Sequence, residues 1–112
     1  MQTTNSFSIL ASKTIAYISD QIEDQDEDGI IEVDYLGDIL KLLTPKGEYV
    51  INKHSAAKEI WLASPISGPY HFHDYNGKWI NKNNIELLSL LESELSQFID
   101  IKLFNVTLDS TD

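Results

Sequence analysis

The chain has 112 residues and a net charge of −10, from 18 carboxylates against 8 basic residues, all of them lysine. That size suits one domain with a real core, and the acidity disfavours nucleic acid and anionic membranes as partners while favouring cations and basic protein surfaces. Cysteine is absent, which excludes disulfides, thiolate metal sites and cysteine nucleophiles. No stretch nears the roughly 20 apolar residues that cross a bilayer. The opening Met1–Ser6 has neither a signal-peptide nor a transit-peptide pattern, so the cytoplasm is the expected location.

In chain order, residues 6–24 are predicted to form an amphipathic helix. Phe7, Leu10, Ala11, Thr14, Ile18 and Ile22 make its apolar stripe, and Asn5 or Ser6 its N-cap. Gly29 stops the helix, and the hydrophobic period then falls from 3.6 to 2. Ile31, Val33 and Tyr35 alternate with Glu32 and Asp34 as in a half-buried strand. A turn at Leu36-Gly37-Asp38 leads to a strand over 39–43. Thr44-Pro45-Lys46-Gly47 turns again into a strand over 48–53. After a loop at 54–58, residues 59–64 alternate once more, and 65–69 form a rigid loop. Asn76-Gly77 between 70–73 and 78–80 is a two-residue hairpin signal. A second helix is expected over 85–99, capped by Asn83 or Asn84, with a stripe through Leu88, Leu91, Leu95 and Phe98. The tail over 101–108 is apolar enough to pack back onto the fold.

Helix, five or six short consecutive strands, helix: the expected architecture is an α+β two-layer sandwich. Both helices lie on one face of an antiparallel sheet, and the other face is left to solvent or a partner.

Between Lys13 and Lys41 there is no basic residue, yet Asp20, Glu23, Asp24, Asp26, Glu27, Asp28, Glu32, Asp34 and Asp38 all lie there. Asp20, Glu23, Asp24 and Glu27 have helical spacing, so an extended helix would carry them on one face. They crowd the C-terminal end, where the helix dipole already disfavours negative charge. A chain needing only solubility could place such acids at helix N-termini, so this placement points to a cation or a basic partner. Carboxylate oxygens without His or Cys suit Fe²⁺, Fe³⁺, Mn²⁺, Ca²⁺ or Mg²⁺, held loosely and at several sites. The run from Asp24 also has the D-x-D-x-D-G start of an EF-hand calcium loop. Its twelfth position is Tyr35 instead of a bidentate Glu, and a strand replaces the exiting helix. His54, His71 and His73 accompany no nucleophile motif. His71 and His73 share a strand face, where a metal grip competes with plain surface decoration.

Tyr49-Val50-Ile51-Asn52-Lys53, followed by Ile60-Trp61-Leu62-Ala63-Ser64-Pro65-Ile66-Ser67-Gly68-Pro69, resembles the frataxin family signature. Tyr70-His71-Phe72 is similar to the bacterial members. With the acidic first helix, the hairpin ending at Trp79 and the Leu-rich last helix, the resemblance covers about residues 6–104. It implies an iron-binding regulator of iron–sulfur cluster assembly that docks on the cysteine desulfurase–scaffold complex and can act as an iron donor. It further implies weak, surface-bound Fe²⁺ or Fe³⁺ as the only cofactor, on an acidic ridge matching Asp20, Glu23, Asp24, Asp26, Asp28, Glu32 and Asp34. The family's partner surface maps to Asn52, Lys53 and Trp61, with His54 and His71 as departures from the family pattern within it. Trp61 alternates with Ile60 and Leu62, which points it away from the helices.

The expected protein is a binding module with no catalytic residues, monomeric unless iron drives its assembly. Ferroxidase or iron-storage activity is the enzymatic alternative. It is disfavoured because a dedicated iron centre needs inward-facing carboxylates and His. The calcium module is the weaker second alternative.

Overall fold

A computed structural model describes residues 6–105. Helix α1 (Ser6–Gln25) precedes strands β1 (Glu32–Leu36), β2 (Ile39–Thr44), β3 (Gly47–His54), β4 (Glu59–Ser64), β5 (Gly68–Tyr75) and β6 (Lys78–Ile80), and helix α2 (Leu87–Leu95) follows. The six strands form an antiparallel meander in the order β1-β2-β3-β4-β5-β6. Period-2 alternation fixes its register, because a slip of one residue would turn every apolar side chain outward. Thus Leu40 and Leu42 face the helices while Ile39, Lys41 and Leu43 face away. The expected two-layer α+β sandwich is observed, with both helices on one face.

The core lies between the layers. Ala11, Ile15, Ile18 and Ile22 of α1 and Leu87, Leu88, Leu91 and Leu95 of α2 pack on Leu40, Leu42, Tyr49, Ile51, Ile60, Leu62 and Phe72. Ile15 belongs to this stripe, whereas Phe7 and Leu10 lie at its partly buried edge. Trp79 is buried against α1, where its Nε1–H donates to Thr14 Oγ1 at 2.9 Å. Asn76 (φ 54°) and Gly77 (φ 88°) both take left-handed backbone, as the β5–β6 hairpin turn requires.

Three expectations about the helices and the tail need correction or restriction. Helix α2 is shorter than the apolar stripe implies. Asn84 is left-handed (φ 65°), and Asn81 Oδ1 accepts from the N–H groups of Asn83 and Ile85, which commits that segment to a turn. The N-cap is therefore Glu86, whose carboxylate accepts from Leu88 N and Ser89 N at 3.0 Å each. At the other end of the molecule, Ser6 is the first helical residue of α1, and Asn5 lies outside the described residues. The tail does return to the fold as far as it is described. Ile101 and Leu103 are buried and Phe104 is exposed, while Val106 and Leu108 fall outside the described residues.

Hydrogen bonds anchor that tail across both helices. Gln25 acts as a mock strand partner, donating from Nε2 to Lys102 O (2.9 Å) and accepting from Lys102 N (2.8 Å). Glu92 Oε1 accepts from Leu103 N, and Tyr17 Oη accepts from Phe104 N. Within the core, Glu94 accepts from the hydroxyls of Tyr49 (2.8 Å), Ser64 (2.7 Å) and Ser67, tying α2 to the β4–β5 loop. A buried carboxylate is tolerable only with such a full set of donors.

Candidate functional site

The acidic candidates begin on the last two turns of α1. Asp20, Glu23 and Asp24 are exposed there, with no basic residue in the final turn to offset the helix dipole. The helix ends at Gln25, so Glu27 leaves the face on which an extended helix would have held it and sits in the following turn. Asp28 is exposed in the same turn, and Gly29 (φ 65°) reverses the chain.

Asp26 differs from its neighbours. Its Oδ1 accepts from Ile30 N at 2.9 Å and its Oδ2 from Ile31 N at 2.7 Å, so both oxygens brace the approach to β1. Asp26, expected among the iron ligands, thus has a structural role in the turn as well. The EF-hand reading also fails at this point, since the loop leads directly into β1 and not into a helix.

Glu32 and Asp34 project from β1 on the sheet face opposite the helices. The register sets Glu32 opposite Leu43, which in turn faces Glu48, and sets Asp34 opposite Lys41. Glu32, Asp34, Lys41 and Glu48 line one open groove of about 440 Å³. A second groove, about 310 Å³, is lined by Asp26, Glu27, Asp28 and Asp100 among others. Glu48 and Asp100 were not among the sequence candidates. Glu48 could have been found from the hairpin register of β2 and β3. Asp100 carried no signal, because only the packing of the segment after α2 brings it there.

Among the described residues the ion pairs are Lys53–Asp38 (3.4 Å) and His71–Glu59 (3.9 Å). No ridge acid named above is held by a lysine among the described residues. Equally, no three His, Asp or Glu side chains among the described residues stand close enough to cage an ion. The acids make an exposed ridge with Lys41 as the one base in its β1–β2 groove, and not a chelating centre. The summed field of such a surface favours cations over anions.

The sheet's open face carries the second set of candidates. Leu36, Ile39, Asn52, Trp61 and His71 are consecutive partners across β1 to β5 and form one row. Trp61 is half-buried between two imidazoles. His54 stacks on one side of the indole (centroids 3.8 Å apart, 13° between planes) and His71 on the other (4.2 Å, 9°). Trp61 Nε1–H donates to Glu59 Oε1 at 2.7 Å, which fixes the rotation of the ring. His73 is exposed on the same strand face as His71, outside the stack. Elsewhere on this face, on β1 and β2, Leu36, Ile39 and Leu43 are exposed, Leu36 at 79%, among the polar Glu32, Asp34 and Lys41.

Lys53 does not belong to this face. Alternation turns it with Ile51 towards α1, where Nζ donates to Ser8 Oγ (2.9 Å) and Ser12 Oγ (3.0 Å). Its side chain is only 11% exposed, and the pair with Asp38 ties α1 to the β1–β2 turn. The expectation of Lys53 as a partner contact is corrected to that of a strut beneath the helix, while Asn52, His54, Trp61 and His71 share the open face.

No helix among the described residues is long and apolar enough to cross a membrane. Residues 1–101 match the model of the frataxin-like domain. The chain is 36% identical over 94 residues to the mitochondrial frataxin homologue of Saccharomyces cerevisiae, covering 80% of this chain and 54% of that protein. It is likewise 36% identical to the mitochondrial frataxin of Arabidopsis thaliana over 96 residues, covering 80% of this chain and 51% of the relative. The chain thus spans about half the length of these curated relatives. Among solved structures, the trimeric yeast frataxin complexed with ferrous iron superposes with a TM-score of 0.72 at 34% identity, covering 79% of this chain and 83% of that one. A frataxin of Psychromonas ingrahamii, from the CyaY protein family, shares the fold at 23% identity with a TM-score of 0.76, over 94% of this chain and 99% of its own. The acidic ridge, the Asn52–Trp61–His71 sheet face and the two-helix meander therefore sit on a chain that belongs to the frataxin family.

Proposed function

We propose that this protein binds ferrous or ferric iron weakly along the acidic ridge and regulates iron–sulfur cluster assembly by docking on a cysteine desulfurase and its scaffold. The observation that carries the reading is the exposed run Asp20, Glu23, Asp24, Asp28, Glu32 and Asp34, which forms no ion pair with a lysine among the described residues and begins where the α1 dipole opposes it. The ferrous-complexed yeast relative supports iron as the cation. Hard carboxylate oxygens suit that ion, and the lack of a cage suits transient loading.

Docking would use two surfaces together. The ridge offers negative potential to a basic partner, which speeds encounter and sets orientation. The open sheet face offers the row Leu36, Ile39, Asn52, Trp61 and His71, in which Trp61 is of a side-chain type enriched among interface anchors. Because a few buried anchors carry most of the energy of an interface, loss of Trp61 should weaken docking without touching iron.

Binding fits this surface better than catalysis. The ridge acids point outward, and a ferroxidase centre would need them gathered around one ion.

Calorimetry on three forms tests the reading. Reversing Asp24, Asp28 and Asp34 to Lys should reduce anaerobic Fe²⁺ uptake and weaken desulfurase–scaffold binding at least tenfold. Trp61→Ala should weaken docking alone, by about 2 kcal/mol. Full iron uptake and full docking by the charge-reversed form would overturn the proposal.

A further inference from the structure

The stack on the open face has a feature that a docking anchor alone does not require: both faces of the indole are covered by titratable rings. Histidine is the side chain whose charge changes between pH 5 and 8. Here two histidines lie parallel to Trp61 to within 13° and 9°, with centroids 3.8 and 4.2 Å away. Their Nδ1 atoms meet opposite surroundings. His54 Nδ1 accepts from the Ala57 N–H at 3.3 Å, so that atom carries no proton in this arrangement. His71 Nδ1 lies 3.9 Å from Glu59 Oε1, the same oxygen that accepts the Trp61 Nε1–H.

We propose that His54, Trp61, His71 and Glu59 form a proton-operated docking element, in which the imidazoles hold the indole in its docking position and their charge sets the affinity of the open face. This rests on the docking reading given above. Protonating His54 places an N–H against the Ala57 N–H and breaks that bond. Protonating His71 sets a cation against Glu59 and draws its oxygen away from the indole. Each imidazolium also binds the ring face by cation–π attraction. Across the transition the four-residue patch passes from one negative charge, on Glu59, to one net positive charge.

The groups around the stack leave little else to explain such a change. On β5 there is His73, which shares a groove with Glu59, His71 and Lys82. Lys58 lies in the β3–β4 loop, and Asp34 pairs in register with Lys41 one row away on β1 and β2. On the β2 side the stack's own row holds only the uncharged Leu36, Ile39 and Asn52. Asp38 lies in the β1–β2 turn and is paired with Lys53, which is turned to the helix side. Among these only His73 belongs to the residue type that titrates between pH 6 and 8. A partner whose surface complements the ridge is basic, so the acid form of the stack repels it.

The indole N–H resonance of Trp61 reports the element in the intact protein, and the buried Trp79 serves as an internal control. From pH 8 to 5 the Trp61 resonance is expected to follow a sigmoid while that of Trp79 stays fixed. His54→Asn or His71→Asn should each remove part of the change and the pair all of it, with His73→Asn leaving it in place. Desulfurase–scaffold affinity should be about fivefold lower at pH 6 than at pH 8, and the double variant should level that difference. A flat indole profile, or a sigmoid that survives in the double variant, overturns the proposal. So does docking that is independent of pH while the indole titrates. Docking absent at every pH, with the indole still titrating, would instead defeat the docking reading and leave the proton-sensing stack standing.

Discussion

Single residues here show how position, more than type, decides a carboxylate's work. Asp24 and Asp26 are two apart in sequence, yet one is exposed on a helix and the other is bonded to two backbone amides. Glu94 is the extreme case, buried and satisfied by three hydroxyls. Its effect reaches Tyr49: burial first, then the hydrogen bond to Glu94 and its charge, hold the phenol well above the usual tyrosine range. The unfolded chain therefore releases that proton before the folded one does, and stability falls as pH rises beyond about 10. Tyr49→Phe should abolish this share of the alkaline loss while costing about 1–2 kcal/mol near neutrality, because Glu94 loses one donor. Urea midpoints of both forms between pH 7 and 11 check this. An equal alkaline slope in the variant would show that Tyr49 is not responsible.

At the scale of elements, the strands were the most legible feature of the sequence. Ile39–Thr44 and Glu59–Ser64 alternate so cleanly that face and register follow from the letters. The same rule turns Lys53 with Ile51 towards α1, but reading Asn52-Lys53 as one block of a family signature hid this. Helix α2 was overestimated for a different reason. Its apolar stripe continues through Phe98 and Ile99, but those side chains pack from turns, which periodicity cannot separate from helix. The end of α1 is where local rules and function part. Glu23 and Asp24 cost on the order of 0.3–1 kcal/mol each against the dipole. Asp24→Lys should then raise the metal-free melting point by several degrees while lowering iron uptake. A lower melting point would mean that Asp24 serves the fold and not a cation.

For the molecule as a whole, the α+β sandwich and the existence of an acidic ridge follow from the chain's own patterning. The partners of each ridge acid do not. Glu48 joins Glu32 and Asp34 only because β1, β2 and β3 lie side by side, and Asp100 meets the Asp26–Asp28 loop only because the tail returns across the helices. Helices cover one face of the sheet, the ridge runs from the end of α1 onto edge strand β1, and the Trp61 row crosses the other face. The proposed docking should thus be separable from the proposed cation loading by mutation of Trp61, although the ridge edge serves both. Anaerobic Fe²⁺ titration followed by paramagnetic broadening of backbone amide signals tests this division most directly. Broadening is expected at Asp20, Glu23, Asp24, Asp28, Glu32 and Asp34, with sparing of Asn52 and Trp61. Broadening centred on His71 and His73, with the ridge unaffected, would contradict it.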